Sequence, residues 1–299
     1  MNPLGIIAIV IAVIAGFYAL SAFDIPIAPF SRGPLATGPG FGVEVANPEP
    51  TPGDGFFGDR EASEAPKRKP GESPYKDKVH IASVTRSGEG VDEEYLVIRY
   101  GGGFAGFGSG SRTEKPVDVT YWRIASARSS EAIPRAYIIP EVDGAERNII
   151  LPPGGELIVL TGTPSYQRNF QENQCIGYLN EFHRFTPSLS NSCPDDNPNR
   201  SDLIRRGFNG ACIDAIYNIS VCRTPEGPFE AGIIKSECID FMNKTFSYAG
   251  CVEGFRGKPG FLRDTWRVVL RRNGKLYDPR HDRIELRDAQ GLLVDEFEY

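Results

Sequence analysis

The chain has 299 residues, with 33 Lys and Arg against 39 Asp and Glu, and a formal net charge of −6. This acidic balance argues against a protein that binds nucleic acid, because such proteins draw much of their affinity from clustered basic side chains. The 33 glycines and 24 prolines, beside an apolar fraction of 40%, fit a globular part joined to a segment without its own core.

An uncharged apolar run opens the chain, from Leu4 to Phe23. A helix of that length rises about 1.5 Å per residue and spans roughly 30 Å, the thickness of bilayer hydrocarbon. We therefore expect residues 1–23 to form a transmembrane signal anchor with the N-terminus inside. Ala19-Leu20-Ser21 followed by Ala22 resembles a cleavage site, so a removed signal peptide and secretion stay open as the alternative.

Proline and glycine dominate the next segment, Asp24 to Lys78, in clusters such as Gly38-Pro39-Gly40 and Pro48-Glu49-Pro50. A segment of this composition cannot bury enough apolar surface to offset its conformational entropy. We predict a disordered linker over 24–78 that holds a globular part, residues 79–299, away from the membrane.

After Val79 the sequence changes to short apolar runs separated by turns, and many of these runs alternate apolar with polar residues. This period-2 pattern predicts strands. The predicted strands are 79–85, 94–100, 117–125, 136–139, 148–151, 156–160, 266–270, 284–287 and 292–299. Little helical pattern lies between them, which favours an antiparallel β-sandwich over a βαβ sheet.

These strands resemble the lamin tail domain, an immunoglobulin-like β-sandwich found in nuclear lamins and in exported bacterial proteins. The matching motifs are Glu94-Tyr95-Leu96-Val97-Ile98, Val117-x-Val119-Thr120-x-Trp122-x-Ile124, Ile150-Leu151-Pro152-Pro153-Gly154, and the C-terminal stretches 266–270 and 284–295. The resemblance covers 79–162 and 262–299. It implies a non-catalytic binding or scaffold module, and bacterial membrane-anchored proteins with a cysteine-bearing insertion are similar.

Residues 162–261 interrupt that resemblance and hold all six cysteines. An even set of cysteines without zinc-type spacing is typical of disulfides, which persist outside the reducing cytoplasm. Apolar steps of three and four predict helices over 212–222 and 236–248, after cap residues at 195–199. Several pairings are open, and an antiparallel pair of helices favours Cys212–Cys251, Cys222–Cys238 and Cys175–Cys193.

Patterns for metal binding or catalysis are weak. The segment 195–199 lacks the glycine and glutamate that a calcium loop requires, and no C-x-x-C suggests zinc. The histidines are His80, His183 and His281. None of them lies in a hydrolase or zincin motif that would supply a catalytic or metal-binding partner. The stretch 278–282 is expected to be a solvated turn. We expect no metal, no cofactor and no catalytic residue.

The candidate binding residues are aromatic. Phe104 and Phe107 lie in the glycine-rich loop 101–110, and Tyr166, Tyr178 and Phe182 lie in the insertion. Aromatic rings on a braced backbone bind at low ordering cost, although those of the insertion could instead fill its own core. The expected partner is a protein or a cell-envelope polymer, with membrane contact through the N-terminal helix. The alternative hypothesis is an accessory domain of an exported hydrolase or nuclease system.

Overall fold

The structure is a computed structural model that describes residues 69–86, 90–101, 114–195, 197–229 and 232–299. The predicted anchor 1–23, most of the predicted linker, and the loop residues Phe104 and Phe107 lie outside these ranges. Within them, no helix combines the length and apolar character needed to cross a bilayer. Residues 69–299 belong to one compact unit.

Eleven strands and three sheets occur in the described part of the chain. The strands are β1 Val79–Thr85, β2 Tyr95–Tyr100, β3 Val117–Asp118, β4 Arg123–Ala125, β5 Ser130–Ala132, β6 Ile150–Leu151, β7 Glu156–Leu160, β8 Phe170–Asn173, β9 Leu262–Val269, β10 Arg283–Arg287 and β11 Leu293–Glu298. One sheet has the order β1-β2-β7-β9-β8, a second has the order β11-β10-β4-β5, and β3 pairs with β6. Among these described ladders every pair is antiparallel except β7 with β9.

The two larger sheets share one hydrophobic core. Alternate side chains of β2 and β10 point into it, as the period-2 pattern of their sequences predicts. Each fully buried aliphatic side chain contributes roughly 1.5–3 kcal/mol relative to an exposed one. Residues of this core from the two sheets include Leu96, Ile98, Leu157, Val159, Ile124, Ile284 and Leu286. We call this two-sheet part the β-domain and residues 162–261 the insertion.

The folded part begins earlier than the predicted boundary at Val79. Ser73 is fully buried, and its N–H donates to the carbonyl of Leu293 at 2.8 Å. The Leu293 N–H in turn donates to the carbonyl of Gly71 at 2.9 Å. Residues 69–78 are thus fixed against β11, a partner more than two hundred residues away that local composition does not reveal.

The insertion connects β7 to β9. Because these strands are parallel, the chain needs a long crossover between them, and the insertion is that crossover. Its helices are α1 Arg200–Arg205, α2 Gly210–Tyr217, α3 Ser236–Thr245 and α4 Tyr248–Phe255, preceded by a 3₁₀ helix, Ile176–Glu181. Side chains of Asn199, Asn209 and Ser247 cap α1, α2 and α4 by accepting backbone N–H groups. Helices α2 and α3 overlap the predicted helices 212–222 and 236–248 and are shorter, whereas α4 begins where the second predicted helix ends.

Strand β8 joins the insertion to the β-domain, and the sequence pattern does not predict it. It pairs antiparallel with β9, where Phe170 faces Arg267 and Gln171 faces Trp266. The insertion then holds two cores of its own. One surrounds Phe170 beside β9, and the other lies among α1, α2 and α3.

All six cysteines form disulfides, but the predicted pairing is wrong. The bonds are Cys175–Cys251, Cys193–Cys222 and Cys212–Cys238. Cys212 and Cys238 are each the third residue of their helix, so the N-termini of α2 and α3 lie side by side, rather than N-terminus against C-terminus as predicted. Three disulfides place the folded part in an oxidising compartment outside the cytoplasm.

Candidate functional site

Phe182 differs from the other aromatic candidates of the insertion because it faces solvent. Phe182 is 65% exposed, whereas Tyr166 and Tyr178 are 6% and 2% exposed. The Tyr166 ring packs edge-on against Phe170, with ring centroids 5.6 Å apart. Tyr166 and Tyr178 therefore fill the core of the insertion, which is the alternative that the sequence left open.

The backbone around Phe182 is held on several sides. Phe182 directly follows the 3₁₀ helix, and its N–H donates to the carbonyl of Leu179 at 3.3 Å. The carboxylate of Glu181 accepts the N–H of Thr224 at 3.0 Å and its hydroxyl at 2.8 Å. A side chain at Gly177 would meet the Cys222 sulfur at 2.5 Å, so the helix packs directly on a disulfide. The ring is exposed on a fixed frame.

Phe182 lines a cleft of about 540 Å³ between the β-domain and the insertion. Asp92 and Glu93 enter it from a 3₁₀ turn of the β-domain, Val91–Glu93, and both are exposed. The insertion adds Thr163 and Arg184 to its lining. Phe182 is therefore the large apolar side chain of a cleft whose lining is otherwise mainly polar or charged.

The two walls of the cleft are joined directly. The carboxylate of Asp92 accepts the N–H of Thr163 at 2.6 Å. Only glycine fits at Gly162, because an added side chain would collide with the backbone and carboxylate of Asp92. On the insertion side, the N–H of Arg184 donates to the hydroxyl of Ser165 at 3.2 Å. The cleft is therefore formed before any partner arrives.

His183 lies in the cleft wall with its ring against the core. Its ring centroid is 4.9 Å from that of Tyr166, whose hydroxyl donates to the Glu141 carboxylate at 2.9 Å. Burial, assisted by this hydrogen bond, raises the pKa of Tyr166 far above its ordinary value. Tyr166 thus remains a neutral phenol, and its ring packs against that of His183.

Other residues considered from the sequence do not meet in this cleft. His80 lies on β1, where burial lowers its pKa, and Nδ1 of His281 lies 2.5 Å from the carbonyl of Tyr299. Asp282, predicted to be solvated, is 2% exposed and accepts the N–H of Ala127 at 3.1 Å. The prediction of a solvated turn is wrong for Asp282, because its carboxylate is buried in a hydrogen bond with the backbone N–H of a residue distant in sequence.

The segment 195–199 serves as loop and helix cap. The Asp195 carboxylate accepts the N–H of Asn197 at 3.1 Å, and Asn199 caps α1. In the described ranges, no three His, Cys, Asp or Glu side chains form a group suited to a metal ion. No protein-family model matches the chain, and the search of curated proteins found no match. Its function is therefore inferred from its own residues.

Proposed function

We propose that this protein is a non-catalytic binding module that works outside the cytoplasm and holds its partner in the cleft at Phe182. The observation behind the proposal is a large aromatic ring, 65% exposed, on a backbone fixed by hydrogen bonds and disulfides. Aromatic anchors dominate the energy of many interfaces, and a preformed frame removes the ordering cost of association.

The partner that the cleft favours is a protein segment with a basic side chain beside an apolar one. The acidic residues Asp92, Glu93 and Glu181 line the cleft together with Arg184. Opposite charge on the partner would speed its approach and fix its orientation. An apolar side chain packed on Phe182 would supply most of the affinity.

The resemblance to the lamin tail domain supports the same function. Two sheets around one core agree with an immunoglobulin-like sandwich, and the insertion interrupts that sandwich between two adjacent strands. A binding module of this kind carries its function on connecting segments held by a rigid scaffold. In this proposal the apolar run of 1–23 tethers the module to the membrane.

The proposal is tested by capture from a cell-envelope extract with the immobilised full chain. Phe182→Ala should weaken retention of the partner by about 30-fold, the effect of losing one interface anchor of about 2 kcal/mol. Ile204→Ala is the matched control, because Ile204 is 59% exposed on α1 of the same insertion. Equal retention by wild type and Phe182→Ala would overturn the proposal, as would equal loss in both variants.

A further inference from the structure

The disulfide Cys193–Cys222 is the most accessible of the three disulfides. Cys193 is half-buried, whereas the other five cysteines are 0–5% exposed. Cys222 is covered by the 3₁₀ helix Ile176–Glu181, which packs on its sulfur at Gly177. A thiolate from solvent therefore reaches this bond from the side of Cys193. Thiol–disulfide exchange depends on such access, and exposed disulfides are the labile ones.

The backbone at Cys222 favours opening of the same bond. Of the six cysteines, all of which the structure describes, only Cys222 has a φ in the left-handed region, at +58°. A residue with a β-carbon is disfavoured there and stays only where its surroundings impose the conformation. Breaking the bond to Cys193 removes one of those constraints. A strained disulfide is easier to reduce than a relaxed one.

Cys222 lies next to the contacts that hold Phe182. Two residues after Cys222, Thr224 donates its N–H and its hydroxyl to the carboxylate of Glu181. Glu181 directly precedes Phe182, and Gly177 of the same helix packs on the disulfide. The position of the Phe182 backbone therefore depends on where the segment that follows Cys222 is held.

Cys193 lies next to a second set of contacts with the same helix. The side-chain amide of Asn180 donates to the carbonyl of Leu189 at 3.3 Å and to the side-chain oxygen of Asn191. Asn191 precedes Cys193 by two residues. The disulfide thus ties together the two segments that contact the helix before Phe182.

We propose that the Cys193–Cys222 disulfide is a redox switch of the cleft at Phe182, opened by an exported dithiol protein. This proposal rests on the binding function proposed for that cleft. When the bond is closed, the frame of Phe182 is fixed. When it is open, the frame becomes mobile, and the binding partner has to bear the ordering cost of the cleft.

The exchange proceeds in two steps. A thiolate of the dithiol protein attacks the sulfur of Cys193, the bond to Cys222 breaks, and Cys222 leaves as a thiolate that takes up a proton. The second thiol of the dithiol protein loses its proton and attacks the mixed disulfide, which releases Cys193 as a thiolate that is then protonated. Two electrons and two protons pass to the cysteine pair, and the dithiol is oxidised to a disulfide.

The other two disulfides keep the insertion folded while this bond is open. Cys175 and Cys251 lie in the core beside β9, and Cys212 and Cys238 lie in the core among the helices. These four cysteines are only 0–1% exposed. Reduction is therefore confined to the disulfide beside Phe182.

The order of reduction is measured on the purified full chain. The folded protein is equilibrated with increasing dithiothreitol, free thiols are blocked with iodoacetamide, and the blocked cysteines are located by peptide mass mapping. Cys193 and Cys222 should be blocked at about tenfold lower dithiothreitol than the other four cysteines. Blocking of all six together, or of another pair first, would overturn the proposal.

Hydrogen exchange shows whether opening this bond loosens the cleft. After selective reduction and blocking, the amides of Phe182, His183 and Thr224 should exchange about tenfold faster, because the contacts that protect them are weakened. The amides of β8 should exchange as in the oxidised protein. Unchanged exchange at Phe182 and Thr224 would show that the disulfide does not control the frame, which also overturns the proposal.

Paired variants separate this disulfide from a similar one. Cys193→Ala with Cys222→Ala should show fast exchange at Phe182 without reductant. Cys212→Ala with Cys238→Ala is the control, because that bond closes a loop of similar length, with a sequence separation of 26 against 29. The control should keep the exchange of the wild type at Phe182. If the first variant does not fold, the reduced and blocked wild type replaces it in this comparison.

The switch and the binding function can fail separately. In the capture from a cell-envelope extract, the selectively reduced and blocked chain should retain as little partner as Phe182→Ala. If Phe182→Ala loses the partner and the reduced chain keeps it, the switch is wrong and the binding function stands. If Phe182→Ala keeps the partner, the binding function is wrong, and the role of the switch is lost with it.

Discussion

Arg267 of β9 and Glu172 of β8 form a buried ion pair, with Nε of Arg267 donating to the Glu172 carboxylate at 2.6 Å. Their side chains are only 5% and 8% exposed. Arg267 also donates from Nη1 to the carbonyl of Pro187 at 2.6 Å. The β-domain supplies the cation and the insertion supplies its anion, so the pair joins the two parts directly.

Breaking this pair on one side should destabilise the protein strongly. Glu172→Leu or Arg267→Met alone should lower the free energy of unfolding by about 3–5 kcal/mol, because a buried charge loses its partner. The double variant should recover most of that loss, and urea denaturation measures all three. The exposed pair Arg283 and Glu296 is the control, where Glu296→Gln should change stability by about 1 kcal/mol or less. Additive losses in the double variant would contradict the prediction.

Removal of the insertion should destabilise the β-domain. Replacing 162–261 by a Gly-Ser linker of about 20 residues, long enough for the crossover between the parallel strands β7 and β9, also removes β8 and Glu172, which leaves Arg267 without its anion. We expect a thermal transition well below that of the full chain. A shortened chain as stable as the full one would show that β8 is dispensable.

The disulfide pairing should be found directly by peptide mapping of the exported protein. Alkylation without reductant should label no cysteine, and proteolysis should release peptides joined as Cys175–Cys251, Cys193–Cys222 and Cys212–Cys238. Each bond closes a loop that should contribute about 2–4 kcal/mol. Two labels per folded molecule, or a peptide that joins Cys212 to Cys251, would contradict the structure.

Asp278 should make stability depend on pH in the acidic range. The N–H of Arg280, followed by the guanidinium of Arg128, lowers the pKa of Asp278 to about 2. In the unfolded chain its pKa is about 3.9. Because the folded pKa is the lower one, this contribution is complete above about pH 4 and is lost as pH falls toward about 2.

Asp278→Asn is the variant that checks this dependence. Its melting temperature should fall less steeply between about pH 4 and pH 2 than that of the wild type. The two melting curves should run parallel above about pH 5, where Asp278 is ionised in both folded and unfolded wild type. Equal slopes below about pH 4 would mean that Asp278 gains no stabilising partner on folding.

Sequence patterns predict strands well where the buried residues are apolar. Residues 79–85 and 156–160 form strands with the predicted bounds because apolar side chains mark them without ambiguity. Strand β8 escapes prediction because its buried residues include Glu172 and Asn173. Their partners, Arg267 and the Tyr248 hydroxyl, lie far away in sequence.

The segment 117–125 is predicted as one strand, but the structure divides it into β3 and β4. The strand is interrupted at Tyr121, where the sequence has no glycine, proline or asparagine that would predict a turn. The predicted strand at 136–139 is reduced to isolated bridges at Ala136 and Tyr137. In these segments the backbone conformation is set by hydrogen bonds to residues distant in sequence. Local strand propensity cannot reveal those hydrogen bonds.

The candidate site, too, could be predicted from the sequence only in part. Phe182 is found from the sequence as an aromatic residue of the insertion, but nothing local distinguishes its exposed ring from the buried ring of Tyr166. Asp92 escapes prediction entirely, because it reaches Thr163 only through the folded chain, 71 residues along. The composition of the cleft is therefore a property of the fold.

The parallel pairing of β7 with β9 bears on how the chain folds. The chain leaves β7 at Leu160 and returns at Leu262, so the sheet is completed only by closing a loop of about a hundred residues. The Cys175–Cys251 bond spans 76 residues of that loop and shortens the free path to about a quarter. Loop-closure entropy then opposes strand pairing by about 1 kcal/mol less. A chain oxidised early during export should therefore complete its sheet faster than a reduced one.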